Sequence, residues 1–330
     1  MVCFYHAGRF KVGFLVNDFY LPNLNKIILN LCTMSVPLFF MVNGALMLRR
    51  DYSWKEIVFR TLKICFLYFF WVIVIGELGV HFLQMDRVSL MGLLKGKRSG
   101  LAVHLWFLKT LGVLTFLLPV LKKIYDLKSK KILYGIMGCL MIFPFIYNYF
   151  VLTVRWFRIE LFEGLSVTGA ATMYSVLYFF LGKLISDFSA KQDRECRKYQ
   201  ILAAFSIILG LLFVTIEVTL WSNIKGSVYD VNSSFPTIGA LLMAVGVFFL
   251  CSRVKVNDNS KFTIAMKALG DQIMGIYIFH NVCIPFIIEY VYQYGTFGMS
   301  LITTILIVLG TALITAVIKR VPILRELVAI

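Results

Sequence analysis

Four histidines, His6, His81, His104 and His280, are the only side chains in the 330 residues whose ordinary charge change falls near neutral pH. Each stands in or beside an apolar run, where a titratable group is costly and a role in chemistry is a natural first hypothesis. His280 lies nine residues after Asp271, so a helix would carry it about 13 Å from that acid. Two readings stay open for it: a proton-handling group, or a neutral imidazole hydrogen-bonded to a neighbouring helix. His104 begins His104-Leu105-Trp106-Phe107-Leu108, in which His104 and Trp106 could line a site or serve as interfacial anchors. Glu77 and His81 are spaced i, i+4 and form either an acid–base couple or an exposed ion pair. Glu289 could line a polar cavity or merely reach outward. Arg60 and Lys63, three apart, share one helix face; such a pair can hold phosphates or anchor a helix end. The seven cysteines show no CxxC pair and no Cys/His spacing of a metal site, so no metal is expected.

The elements that must position these residues are hydrophobic to an unusual degree. Apolar residues make up 60%, charged residues 15%, and the mean hydropathy is +0.83, far from the balance of a water-soluble domain. Apolar runs long enough to cross a bilayer as helices are read at 24–48, 57–82, 104–121, 131–151, 172–188, 199–221, 235–252, 272–293 and 300–318, the fifth with a start that could reach back to Leu165. The expected fold is therefore all-α: a polytopic transmembrane helix bundle of about nine full spans. A single integral membrane domain occupies 1–330, leaving no room for a soluble one. No internal repeat of the transporter kind is visible.

The net charge of +16 would suggest nucleic acid in a soluble protein, but its distribution points elsewhere. Of the 33 Lys and Arg, 22 fall in one set of alternate loops and nine in the other. Short loops rich in Lys and Arg stay on the cytoplasmic side, which puts the C-terminus there and makes the lipid bilayer, not nucleic acid, the expected partner. In that orientation whatever precedes residue 24 should have crossed outward. The run Met1 to Tyr5 is too short to cross, so a truncated first helix is expected at the N-terminus.

Five segments, in order, resemble the membrane-bound acyltransferase 3 family, the multi-span O-acyltransferases of bacterial envelopes. Cys3-Phe4-Tyr5-His6-Ala7 is similar to the end of its first helix. Ser35-Val36-Pro37-Leu38-Phe39-Phe40-Met41-Val42-Asn43-Gly44-Ala45-Leu46-Met47-Leu48 is similar to the signature of its second. Arg60-Thr61-Leu62-Lys63 resembles its basic RxxR pair, with Lys in place of the second Arg. His104-Leu105-Trp106-Phe107-Leu108 resembles its HLWFL, and Gly275-Ile276-Tyr277-Ile278-Phe279-His280 its late GIYLIH helix.

The resemblance implies ten helices in all, a place in the bacterial cytoplasmic (inner) membrane, and acyl transfer. The donor is a cytoplasmic acyl-CoA, commonly acetyl-CoA, acting as cosubstrate with no bound cofactor. The acceptor is a sugar hydroxyl of an envelope glycan or its lipid-linked precursor. His6 is then the general base and Arg60 and Lys63 hold the CoA phosphates. Asn43, His104, Trp106, Tyr277 and His280 are substrate or oxyanion candidates; Glu77, His81 and Glu289 are weaker ones. The family's Arg on the first helix would lie ahead of Met1, so either the true start is upstream or the chain is a shortened, inactive copy. The competing expectations are a transporter or flippase using the buried histidines as a proton path, and a non-catalytic relative that handles an envelope glycan.

Overall fold

The computed structural model describes residues 1–7, 13–16, 19–89, 92, 99–146, 150, 152–153, 156, 170–191, 197–227, 237–254, 256–292 and 296–329. The helices are α1 (Val2–Ala7), α2 (Leu24–Met47, with a 3-10 turn at Cys32–Met34), α3 (Trp54–Leu83) and α4 (Gly100–Asp126, opening as a 3-10 turn over Gly100–Leu105). Then follow α5 (Lys131–Met141, continued by a π turn at Ile142–Ile146), α6 (Ala170–Lys191), α7 (Arg197–Lys225), α8 (Ile238–Ser252), α9 (Lys261–Gly270), α10 (Ile273–Tyr292), α11 (Phe297–Ile318) and α12 (Pro322–Arg325). Five of them, α2, α3, α4, α7 and α11, are long and apolar enough to cross a membrane. Helices α5, α8 and α10 are shorter apolar ones, and α6 falls on the predicted span 172–188. Leu165, the possible earlier start of that span, lies outside the described residues.

Two features depart from the expected pattern. An antiparallel hairpin, β1 (Gly13–Val16) with β2 (Phe19–Pro22), pairs Gly13 with Pro22 and Val16 with Phe19, so the chain is nearly but not wholly helical. Helix α9 was not among the predicted spans, because its ten residues carry two lysines and are too few to cross.

Polar residues start the helices where a side-chain oxygen can receive the first free N–H groups. Asn23 caps α2, Thr237 caps α8, Ser260 caps α9 and Thr296 caps α11. Helix α3 opens with a full capping box: Glu56 N donates to Ser53 Oγ at 3.3 Å, and Ser53 N donates to Glu56 Oε2 at 2.9 Å. Arg60 and Lys63 follow within two turns.

The chain divides into two compact units. The first comprises Met1–Val2, Lys11–Asp51 and Leu118–Lys255. Within it α2 and α6 meet almost backbone to backbone: a Cβ on Gly44 would lie 1.9 Å from the Phe179 carbonyl oxygen, and one on Gly182 1.9 Å from that of Met41. Only glycine permits this approach. Asn30 Nδ2 donates to Thr215 Oγ1 at 3.1 Å, tying α2 to α7. The hairpin is held by Asn223 of α7, which accepts from Tyr20 N at 2.7 Å and donates to Tyr20 O at 3.0 Å.

The second unit comprises Cys3–Phe10, Tyr52–Leu117 and Val256–Ile330. Here α10 packs on α11, with Gly275 against Thr315 so closely that a Cβ would sit 1.9 Å from its Oγ1. Ala7 of α1 joins Ile284 and Ile307 in a small buried cluster, and Phe4 meets Phe297 edge-on at 5.6 Å. That packing fixes the end of α1 against α10 and α11, and with it His6.

Candidate active site

The second unit brings together three of the four histidines. The His6 ring lies 5.5 Å from that of His280, centroid to centroid, and the His280 ring lies 4.9 Å from that of His104. They come from α1, α10 and the 3-10 opening of α4, three segments far apart in the chain. Tyr277 stands one turn before His280, with its ring 5.4 Å from His104. Its hydroxyl donates to the His104 carbonyl at 2.6 Å, and Asn281 Nδ2 donates to the Leu101 carbonyl at 2.8 Å. These two bonds clamp the opening of α4 onto α10.

The hydrogen bonds decide which ring nitrogens carry protons. His280 Nδ1 lies 2.8 Å from the Tyr277 carbonyl and 3.1 Å from that of Ile276. Carbonyls only accept, so in the neutral ring Nδ1 is the N–H and Nε2 holds the lone pair. His104 Nε2 lies 3.2 Å from the Ile278 carbonyl, so Nε2 is its N–H and Nδ1 its lone-pair nitrogen. His280 is 0% exposed and His104 6%. A neutral His280 in this tautomer accepts at Nε2, which does not suit it to donate to an oxyanion.

The cationic pair sits on the same unit. Arg60 stacks over the Tyr52 ring at 5.0 Å. Lys63 Nζ donates to Glu326 Oε2 at 2.7 Å, in the 3-10 turn Glu326–Val328 that follows α12. Glu326 is held below the usual carboxylate range by this hydrogen bond and by the Lys63 charge. Two turns further along α3, about 12 Å from Lys63, Trp71 Nε1 donates to the Leu327 carbonyl at 2.8 Å. The Trp71 ring meets Phe279, the neighbour of His280, edge-on at 5.0 Å. The helix that bears the cations thus packs, at Trp71, against the helix that bears His280.

The remaining candidates lie elsewhere. Glu77 and His81 face each other at 3.7 Å on the exposed end of α3, where Glu77 also accepts from Arg87 at 2.6 Å. Trp106 is half-buried, its ring 6.4 Å from Phe107. Asn43 belongs to the first unit and donates to the Phe39 carbonyl of its own helix at 2.8 Å. The side chain of Glu289 lies outside the described residues. Among the described residues no group of three or more His, Cys, Asp or Glu could hold a metal ion.

Sequence reasoning missed Tyr52, Trp71, Asn281 and Glu326. Asn281 carried a signal, a polar residue beside His280 in an apolar run. Glu326 carried none, because 263 residues separate it from Lys63.

Residues 1–320 of the 330 match a family model, that of the acyltransferase domain of the acyltransferase 3 type. No curated protein and no solved structure matches the chain.

Proposed function

The chain belongs to the acyltransferase 3 family and is a membrane acyltransferase; from this we propose that it moves an acyl group, acetyl in the simplest case, from acyl-CoA to a sugar hydroxyl of an envelope glycan or its lipid-linked precursor. The observation that carries this reading is the convergence of His6, His280 and His104 in one unit, on a frame whose helix α3 also bears Arg60 and Lys63. Arg60 and Lys63 bind the CoA phosphates from the cytoplasmic face, Arg60 through a planar fork and Lys63 as a point charge. His6 takes the proton of the acceptor hydroxyl as its oxygen attacks the thioester carbonyl. The new C–O bond forms, the C–S bond breaks, and the proton passes from His6 to the departing CoA thiolate. The Tyr277 ring lies against His104, and a low-dielectric surround strengthens every hydrogen bond made to the reacting groups.

The test is transfer of radiolabel from [14C]acetyl-CoA to glycan in membranes that carry the protein. Wild type is expected to label glycan and His6→Ala to lose the label. Labelling that survives His6→Ala would remove His6 as the base, and transport of an unlabelled glycan without label transfer would favour a transporter.

A further inference from the structure

Two ring nitrogens in the second unit are buried and have no hydrogen-bond partner among the described residues: Nε2 of His280 and Nδ1 of His104. Each is the lone-pair nitrogen of its neutral ring, since the other nitrogen faces backbone carbonyls. The two rings are 4.9 Å apart and the His6 ring is 5.5 Å from that of His280. Two donors close by are engaged with backbone. The single hydroxyl proton of Tyr277 goes to the His104 carbonyl, and Asn281 Nδ2 donates to the Leu101 carbonyl. A buried acceptor left unpaired costs about 1–3 kcal/mol, and here two such acceptors lie on neighbouring rings. The carbonyls favour these tautomers, and neither lone pair has a donor among the described residues.

Resting on the acyltransferase reading above, we propose that His280 Nε2 and His104 Nδ1 are the acceptors for two hydrogen-bond donors of the acyl acceptor, flanking the hydroxyl that His6 deprotonates. The substrate class follows from the chemistry. An acceptor that fills this site carries at least two hydroxyl or N–H groups close to its nucleophilic oxygen, as a sugar ring does and a simple alcohol does not. His104 and His280 are thus specificity-determining residues that read the acceptor, rather than oxyanion donors. The energetic logic is asymmetric: a site that hydrogen-bonds a substrate group rejects an analogue lacking it far more strongly than an apolar pocket rejects an extra group.

The experiment uses the full chain in lipid nanodiscs, with [14C]acetyl-CoA as donor. Acceptor probes are methyl glycosides, their monodeoxy derivatives and 1-butanol. Glycosides are expected to be labelled and 1-butanol not. For the glycoside used best, deleting a hydroxyl beside the acylated one is expected to lower kcat/KM about tenfold or more. In His280→Phe or His104→Phe, which keep a ring but lose the lone pair, one of these penalties is expected to fall to about twofold or less. His280→Gln and His104→Asn place an amide oxygen near the lost nitrogen and are expected to restore the penalty, which separates recognition from misfolding. Equal use of 1-butanol and glycosides would overturn the inference, as would deoxy penalties unchanged in both Phe variants. If wild type labels only the membrane's own glycan, loss of label in the Phe variants with recovery in the Gln and Asn variants supports the inference, and undiminished label in the Phe variants overturns it. Absence of transfer to any acceptor sinks the acyltransferase reading itself and this inference with it.

Discussion

At the scale of single residues, the site separates groups that react from groups that hold. In the proposed reaction His6 is the base, and His6→Ala is expected to lower label transfer about 10²–10⁴-fold, the usual contribution of a positioned general base. Lys63 is engaged by Glu326 at 2.7 Å, so in the proposed reaction a CoA phosphate has to compete with a carboxylate of the chain for one ammonium. A charge-assisted hydrogen bond contributes about 1.5–3 kcal/mol, and Lys63→Met is therefore expected to raise KM for acetyl-CoA about tenfold. The competing contact is exposed and so weak. Glu326→Gln is expected to lower that KM by no more than about fivefold. Kinetics with varied acetyl-CoA check both, and an unchanged KM in Lys63→Met would end the phosphate role. The Glu326 carboxyl lies below its ordinary value of 4.5. A depressed carboxylate favours the native contact above that value and loses it as pH falls through the folded one. A nitroxide at the exposed Ile323 is expected to stay ordered from neutral pH down to 4.5 and to become mobile only below it. In Glu326→Gln the label is expected to lose this pH dependence.

At the scale of elements, close helix contact explains why some glycines are irreplaceable. In an exposed helix Gly→Ala gains about 0.5–1 kcal/mol of propensity, and Gly135 of α5, whose added Cβ would meet nothing within 4 Å, is expected to show that gain. Gly44→Ala drives a methyl into the Phe179 carbonyl, and overpacking of that kind costs about 1–3 kcal/mol. Thermal unfolding in detergent is expected to move up for Gly135→Ala and down for Gly44→Ala. A shift of equal sign in both would mean that α2 and α6 do not touch there. The helices themselves were legible, because an apolar run of span length has few other ways to satisfy its backbone in lipid: 57–82 became Trp54–Leu83, and 300–318 became Phe297–Ile318. The hairpin was not legible. Its strands are four residues each, and an amide on α7 closes one edge, a contact that no local pattern announces.

At the scale of the whole molecule, the loop charges predict an orientation that reporters can read. A fluorescent protein fused after Lys128 is expected to light up on the cytoplasmic side, and a phosphatase fused after Ser227 to be active on the opposite one. The reverse pattern would overturn the orientation and move Arg60 and Lys63 away from cytoplasmic CoA. The site was half legible from the chain: His280 and His104 stood out as titratable groups in apolar runs and His6 only through the family resemblance, but neither their meeting nor the tautomers follow from spacing. Those depend on Ile276, Tyr277 and Ile278, whose carbonyls turn each ring. The unit that holds the site is assembled from three separated stretches, Cys3–Phe10, Tyr52–Leu117 and Val256–Ile330. That has a consequence for biosynthesis. His6 leaves the ribosome 274 residues before His280, an interval of about 14 to 55 s at ~5–20 residues per second. Throughout it, α1 lacks the helices that later seat it, so a factor that shelters its imidazole would protect the nascent enzyme, and slow insertion of the last 75 residues would leave it longest at risk.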